Sequence, residues 1–258
     1  MVCVSQRTLY LQYSRQSLNF HPSYLDVVGS LTGNQYDPSK IITTPTVRDQ
    51  EADRFWRVDC LLGFTSRCVR ILAKVADLCK RADKERIKEG QGVLPTWRPD
   101  IAMLGNADAL KAQLENTAPN VVRFCEHDRD LPQEEASALA VEMLAVNDAF
   151  HWAGLIHLYK RVYGMRSDSV EVQIHVRNIS SALHRVRPES AAEHGMVFPM
   201  FTAGCEMAEE RQRQDVLGRL QRVERSGMMQ VGRAKTLMMR VWETGHCWES
   251  LASGEFLG

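Results

Sequence analysis

Residues 170–186 read Val-Glu-Val-Gln-Ile-His-Val-Arg-Asn-Ile-Ser-Ser-Ala-Leu-His-Arg-Val. The first half alternates, with Val170, Val172, Ile174 and Val176 at every second position, the pattern of a half-buried strand. Over the whole stretch, Val172, Val176, Ile179, Leu183 and Val186 recur at intervals of four, three, four and three, which is one face of a helix. The helical period accounts for the longer span, and Pro188 marks its end. With this stretch assigned to helix, the strongest strand candidate disappears. The expected fold class is all-α, a single compact domain of helical hairpins packed around one core.

The neighbouring segments point the same way. From Asp59 to about Lys88, Leu61, Phe64, Cys68, Leu72, Val75 and Cys79 trace a helical stripe, and Glu89 to Pro95 reads as a loop. Pro132 with Glu134 and Glu135 starts a long helix through Leu139, Met143, Phe150, Trp152 and Ile156, which stops at Gly164. Two more helices carry Val216, Leu217, Leu220 and Val223 up to Gly227, then Val231, Ala234, Leu237, Met238 and Val241 up to Gly245. Between Pro188 and Cys205 an apolar segment reads as a short buried helix interrupted or started by Pro199. Near the start, Tyr24 to Val28 fits a short helix, and Asp37 to Thr46, with two prolines, a loop.

Composition narrows the function classes. The sequence has 258 residues, 32 basic and 32 acidic side chains, 44% hydrophobic and 25% charged residues, the profile of a folded domain. A net charge of zero argues against a chain that grips nucleic acid mainly through phosphates. No apolar run approaches the roughly 20 residues of a membrane-spanning helix. Seven scattered cysteines make a poor disulfide framework and favour a reducing compartment, nucleus or cytosol.

Catalytic and metal signatures do not assemble. Structural zinc needs four ligands, commonly in close pairs, and no two cysteines here are separated by two residues. Cys68 and Cys79 share a helix face, yet at about 1.5 Å per residue they lie roughly 16 Å apart. Cys125 and His127 are the tightest Cys/His spacing, with nothing nearby to complete a site. Gly90 and Gly92 lack the third glycine of a dinucleotide loop, and Gly29, Ser30 and Gly33 miss the spacing of a nucleophile elbow. The acidic pairs Glu134-Glu135 and Glu209-Glu210 belong to helix first turns or mixed-charge faces. His151 and His157 share one helix but point away from each other, as core histidines would. No catalytic, metal or cofactor residue is therefore assigned, and no cofactor is expected.

The last third holds a distinctive order of motifs. Residues 197–205 read Val-Phe-Pro-Met-Phe-Thr-Ala-Gly-Cys, followed by Glu206 and a charged helix. Ser226-Gly227 then makes a turn before a helix ending Val241-Trp242. Upstream stand Asp59-x-Leu-Leu-Gly-Phe64, and Ala149, Phe150 and Ala153 with the run Ile156-His-Leu-Tyr159. In this order the motifs resemble the regulatory domain of fungal-specific transcription factors of the binuclear zinc-cluster class. The resemblance covers roughly residues 20–258, leaving 1–20 as an N-terminal remnant. The six-cysteine, zinc-binding DNA reader of that class has no counterpart here, since Cys3 is the only cysteine before Cys60. The expectation is a fragment, a truncated product or a stand-alone relative that binds neither zinc nor DNA by itself.

What the resemblance implies is transcription regulation in the nucleus by a non-enzymatic domain. It would act through homodimer formation, contacts with transcriptional co-regulators, or sensing of a small apolar ligand. The competing function class is a small-molecule enzyme on a helical scaffold. The candidate regulatory segment is Phe198, Phe201, Gly204 and Cys205. Phe198, Phe201 and Cys205 should be buried, with Gly204 admitting a neighbouring backbone. Met196, Met200, Met207, Met228, Met229, Met238 and Met239 cluster nearby, as core fillers or as an adaptable pocket.

Overall fold

The structure, a computed structural model, describes Val58 and residues 63–88, 92–116, 132–228 and 230–252. The expectations for Tyr24–Val28, Asp37–Thr46, Met229, Cys125 and His127 lie outside these residues. Nine α-helices are present among the described residues: α1 (Ser66–Arg86), α2 (Ile101–Glu115), α3 (Gln133–His157), α4 (Val170–Arg185), α5 (Ala191–Gly195), α6 (Val197–Glu206), α7 (Glu210–Arg225), α8 (Gln230–Thr244) and α9 (Trp248–Leu251). The architecture is all-α, and the stretch that alternates from Val170 is helix through Arg185, as its longer period requires.

Three departures from the sequence pattern have local causes. The first concerns where α1 begins. The helix starts at Ser66, because Thr65 is extended and its hydroxyl accepts the amide of Cys68 at 3.1 Å. Gly63 sits in the turn before it at φ +73°, and a Cβ there would lie 2.7 Å from Val146 on α3. The motif around Gly63 is thus a turn pressed onto α3.

The second departure is a small hairpin where a loop is expected. Strands β1 (Ile87–Lys88) and β2 (Gly92–Val93) pair antiparallel, Ile87 opposite Val93. The third is α2, which no strong apolar period announces. Only Met103, Ala107, Leu110 and Leu114 are buried on it, and one of those four is an alanine, so the apolar stripe is thin. The start signal is nevertheless present: Asp100 accepts the amide of Met103 at 2.6 Å. Asp100→Ala should cost about 0.5–2 kcal/mol of stability, the usual range for a lost N-cap, read from urea denaturation.

Helices α3 and α4 form the main hairpin, and ion pairs hold its register. Arg185 meets Asp148 at 3.1 Å, and the buried Glu142 accepts both the backbone amide and the guanidinium of Arg187. Helices α7 and α8 form a second hairpin, joined by the ion pair Lys235–Glu224. Arg219 of α7 donates to the carbonyls of Leu183 and Val186, closing the end of α4, while Glu193 of α5 takes both Arg219 and Arg222.

Helix α6 lies between the two hairpins, against α3, α4, α7 and α8, and every residue from Val197 to Glu206 is buried. Pro199 stands in its first turn, where its missing N–H costs no hydrogen bond. A short helix with apolar residues on most of its faces belongs in the core, and its buried polar groups find partners there, Thr202 with His157 and Glu206 with Lys160.

Candidate functional site

The chemistry of the domain concentrates where α3 ends. After His157 the chain widens into a π-turn, Leu158–Val162, which turns Lys160 and Arg161 toward different partners. Arg161 is only 4% exposed. Its guanidinium donates to Asp83 Oδ2 of α1 at 2.5 and 3.0 Å and lies 3.6 Å from Glu249 of α9. Arg86, also of α1, donates to Asp83 Oδ1 at 2.7 Å and pairs with Glu249 at 3.2 Å. Two cations and two carboxylates thus share one buried cluster. Burial works against the charge of Arg161 and Arg86, but Asp83 and Glu249 outweigh it and hold both guanidiniums protonated.

His157 links this cluster to α6. Arg161 can only donate, so its contact with His157 Nδ1 at 3.2 Å makes that nitrogen the acceptor. The ring proton then sits on Nε2, which donates to the hydroxyl of Thr202 on α6 at 3.2 Å. The ring also stacks on Phe198, with centroids 5.5 Å apart. Phe198 in turn meets Phe150 at 5.5 Å, and Phe150 meets Phe64 at 4.4 Å. A continuous aromatic column therefore runs from the turn before α1 to the buried charges. Burying each phenylalanine is worth about 1.5–3 kcal/mol.

Burial, reinforced by Arg161 and Arg86, holds His157 well below its ordinary pKa, so it is a neutral hydrogen-bond relay. His151, six residues earlier, occupies a separate environment. Asn147 Oδ1 accepts the amide of Thr65, leaving its Nδ2 to donate to His151 Nδ1 at 3.4 Å. Burial, then the charge of Arg67, lowers His151 from 6.5 to about 4. Both histidines bind fewer protons when folded than when unfolded. Their contribution to stability is whole above about pH 6.5 and is lost as pH falls toward their folded values. Ring-proton NMR should place the His151 midpoint near 4 and that of His157 well below 6.5. A midpoint near 6.5 for either ring would contradict the buried environments described.

The predicted regulatory segment is part of this arrangement. Phe198 and Phe201 are fully buried, and Phe201 meets the Trp248 ring edge-on at 5.6 Å. Cys205 is buried, and desolvation, then Glu206, pushes its thiol well above the usual range. Gly204 admits side chains rather than a backbone. A Cβ there would meet the Met238 sulfur of α8 at 2.1 Å, and Trp242 Nε1 donates to the Gly204 carbonyl at 2.8 Å. Met196, Met200, Met207 and Met238 are buried around α6, whereas Met239 is 40% exposed.

Glu134, Glu135, Glu209 and Glu210 are exposed, as expected of helix first turns. Cys68 and Cys79 are buried free thiols. Among the described residues, no three His, Cys, Asp or Glu side chains come together in a way that could hold a metal ion. No described helix is long and apolar enough to cross a membrane. A groove between α1 and α2, lined by Arg81, Lys84, Glu85, Asp100, Ala102, Met103 and Asn106, includes no residue of the predicted segment.

Asp83, Arg86, Arg161 and Glu249 belong to none of the sequence motifs described above. A signal existed for Arg86: the apolar stripe Cys68, Leu72, Val75, Cys79, Ala82 continues in step to Arg86. Arg161 likewise follows His157 by one turn. A charge that continues an apolar face marks a buried partner.

The sequence matches the family described as fungal specific transcription factor domain over residues 19–250. No curated protein and no solved structure matches it significantly.

Proposed function

We propose a mode of action for a chain that belongs to the fungal-specific transcription factor domain family. Its role is in transcription regulation. Within that role we assign it the part of an effector domain, working in the nucleus through contacts with a second copy or with co-regulators. The packing state of α6 sets those contacts. The observation that carries this assignment is that α6 touches both helical hairpins and is tied through Thr202 and His157 to the buried charge cluster. A change at any of these elements must be accommodated by the others, because close-packed interiors deform in discrete steps.

The chain is assigned no catalytic step and no cofactor. At the end of α3 the core brings together two arginines paired with two carboxylates beside a neutral histidine, an arrangement that balances charge. By itself the chain is assigned no sequence-specific DNA contact, in keeping with its zero net charge. Sensing of a small apolar ligand is the second mode. It is favoured by the seam between α6 and α8, where the flexible Met238 side chain lies against Gly204.

The test is a fusion of the full chain to a heterologous DNA-binding module driving a reporter. Expression should differ from that of the module alone, and Phe198→Leu should change the output at unaltered protein level. A fusion with no effect on the reporter, whatever the variant, would overturn the effector assignment.

A further inference from the structure

The last described helix, α9, is a single turn, too short to hold itself together by its own backbone. What fixes it is its seat. Trp248 is 5% exposed, edge-on to His157 at 6.1 Å and Phe201 at 5.6 Å, with the Arg161 guanidinium 5.3 Å from its ring centroid. Glu249 supplies the second carboxylate to Arg86 and Arg161. Without α9, Arg86 and Arg161 lose the Glu249 carboxylate, and the rings of His157 and Phe201 lose Trp248.

The tether is built differently from the seat. Glu243, Thr244, Gly245 and His246 are all exposed, and Gly245 turns the chain at φ +68°. Glu249 is also imperfectly held: among the described residues its buried Oε2 has no hydrogen-bond partner. A deep, charged seat is thus filled by a short element on an exposed hinge.

From this geometry we propose that α9 is a displaceable latch. Trp248 and Glu249 occupy in cis a cationic and aromatic seat made by Arg86, Arg161, His157 and Phe201, and a partner segment with an aromatic residue followed by a carboxylate takes that seat when the latch opens. The seat reaches α6 through Phe201 and through His157–Thr202, so opening is felt in the core. In cis the latch competes at a high effective concentration, which keeps the seat closed to weak partners.

The proposal deepens the effector assignment by giving its partner a chemistry, and its test uses no reporter, so the two can fail separately. A fluorescein-labelled peptide of residues 244–252 is titrated against the full chain, wild type and Glu249→Gln, by anisotropy. The variant, whose own latch has lost its charge, should bind the peptide about tenfold or more tighter than wild type. The same peptide carrying Glu249→Gln should bind that variant about tenfold or more weakly than the native peptide. Equal binding of the two peptides, or none to a cooperatively folded variant, overturns the latch. Should Glu249→Gln fail to fold, hydrogen exchange of the wild-type chain decides. Amides of Ser250 and Ala252 exchanging through a local opening support the latch, and exchange only together with α6 overturns it.

Discussion

Replacing Arg161 by methionine is expected to remove about 3–5 kcal/mol of folding stability, the cost of breaking a buried ion pair from one side. The loss has a traceable source. Asp83 would keep Arg86, but Glu249 would lose the second cation near it, Trp248 the cation beside its ring, and His157 the donor to its Nδ1. The stem of methionine fills much of the space, so what is measured is chiefly the uncompensated charge and not a cavity. Guanidinium denaturation of the wild type, Arg161→Met, Asp83→Asn and the double variant gives a coupling energy between the two sites. That coupling should exceed about 1 kcal/mol, and strict additivity would mean the pair is not a unit. An exposed pair such as Arg166–Asp168 serves as the control, since solvent screens a surface pair.

The second large effect is expected at Gly204. Gly204→Asp places a carboxylate in a helix that is buried on every face, against a methionine sulfur that a Cβ alone would already meet at 2.1 Å. The loss should exceed about 4 kcal/mol, the range reserved for an unpaired charge in a core. Gly204→Ala isolates the steric part. Met238 is flexible, so that variant should lose about 1–3 kcal/mol, the usual cost of overpacking. Thermal melting separates the two meanings of this segment. A large fall in midpoint identifies α6 as a core helix whose packing carries the domain. An unchanged midpoint with altered reporter output would identify a surface switch, contrary to the burial of all ten residues of α6.

Both predictions rest on residues that differ in how visible they are in the sequence. Phe198, Phe201, Gly204 and Cys205 stand out because a dense apolar run with one glycine has few uses outside a core. Arg161 and Glu249 do not stand out. The one local sign of Arg161 is its place a turn after His157, and Glu249 follows Trp248 in a stretch too short to show a helical period.

The sequence by itself determined the helical class, the spans of α3, α4, α7 and α8, the burial of the α6 segment and the family. These follow from periodicity, from proline and glycine at the helix ends and from the order of motifs, all of which are local properties of the chain. Tertiary structure decided the rest. It set the start of α1 at Ser66, because the turn at Gly63 packs against Val146 of α3 and leaves Thr65 extended as the cap. It revealed α2, whose thin apolar stripe gains meaning only against α1 and α3. It joined Asp83, Arg86, Arg161 and Glu249, residues up to 166 positions apart, into one cluster. Pairing over such separations is fixed by how helices dock, and docking is governed by the summed shape of their buried faces, which no window of sequence contains.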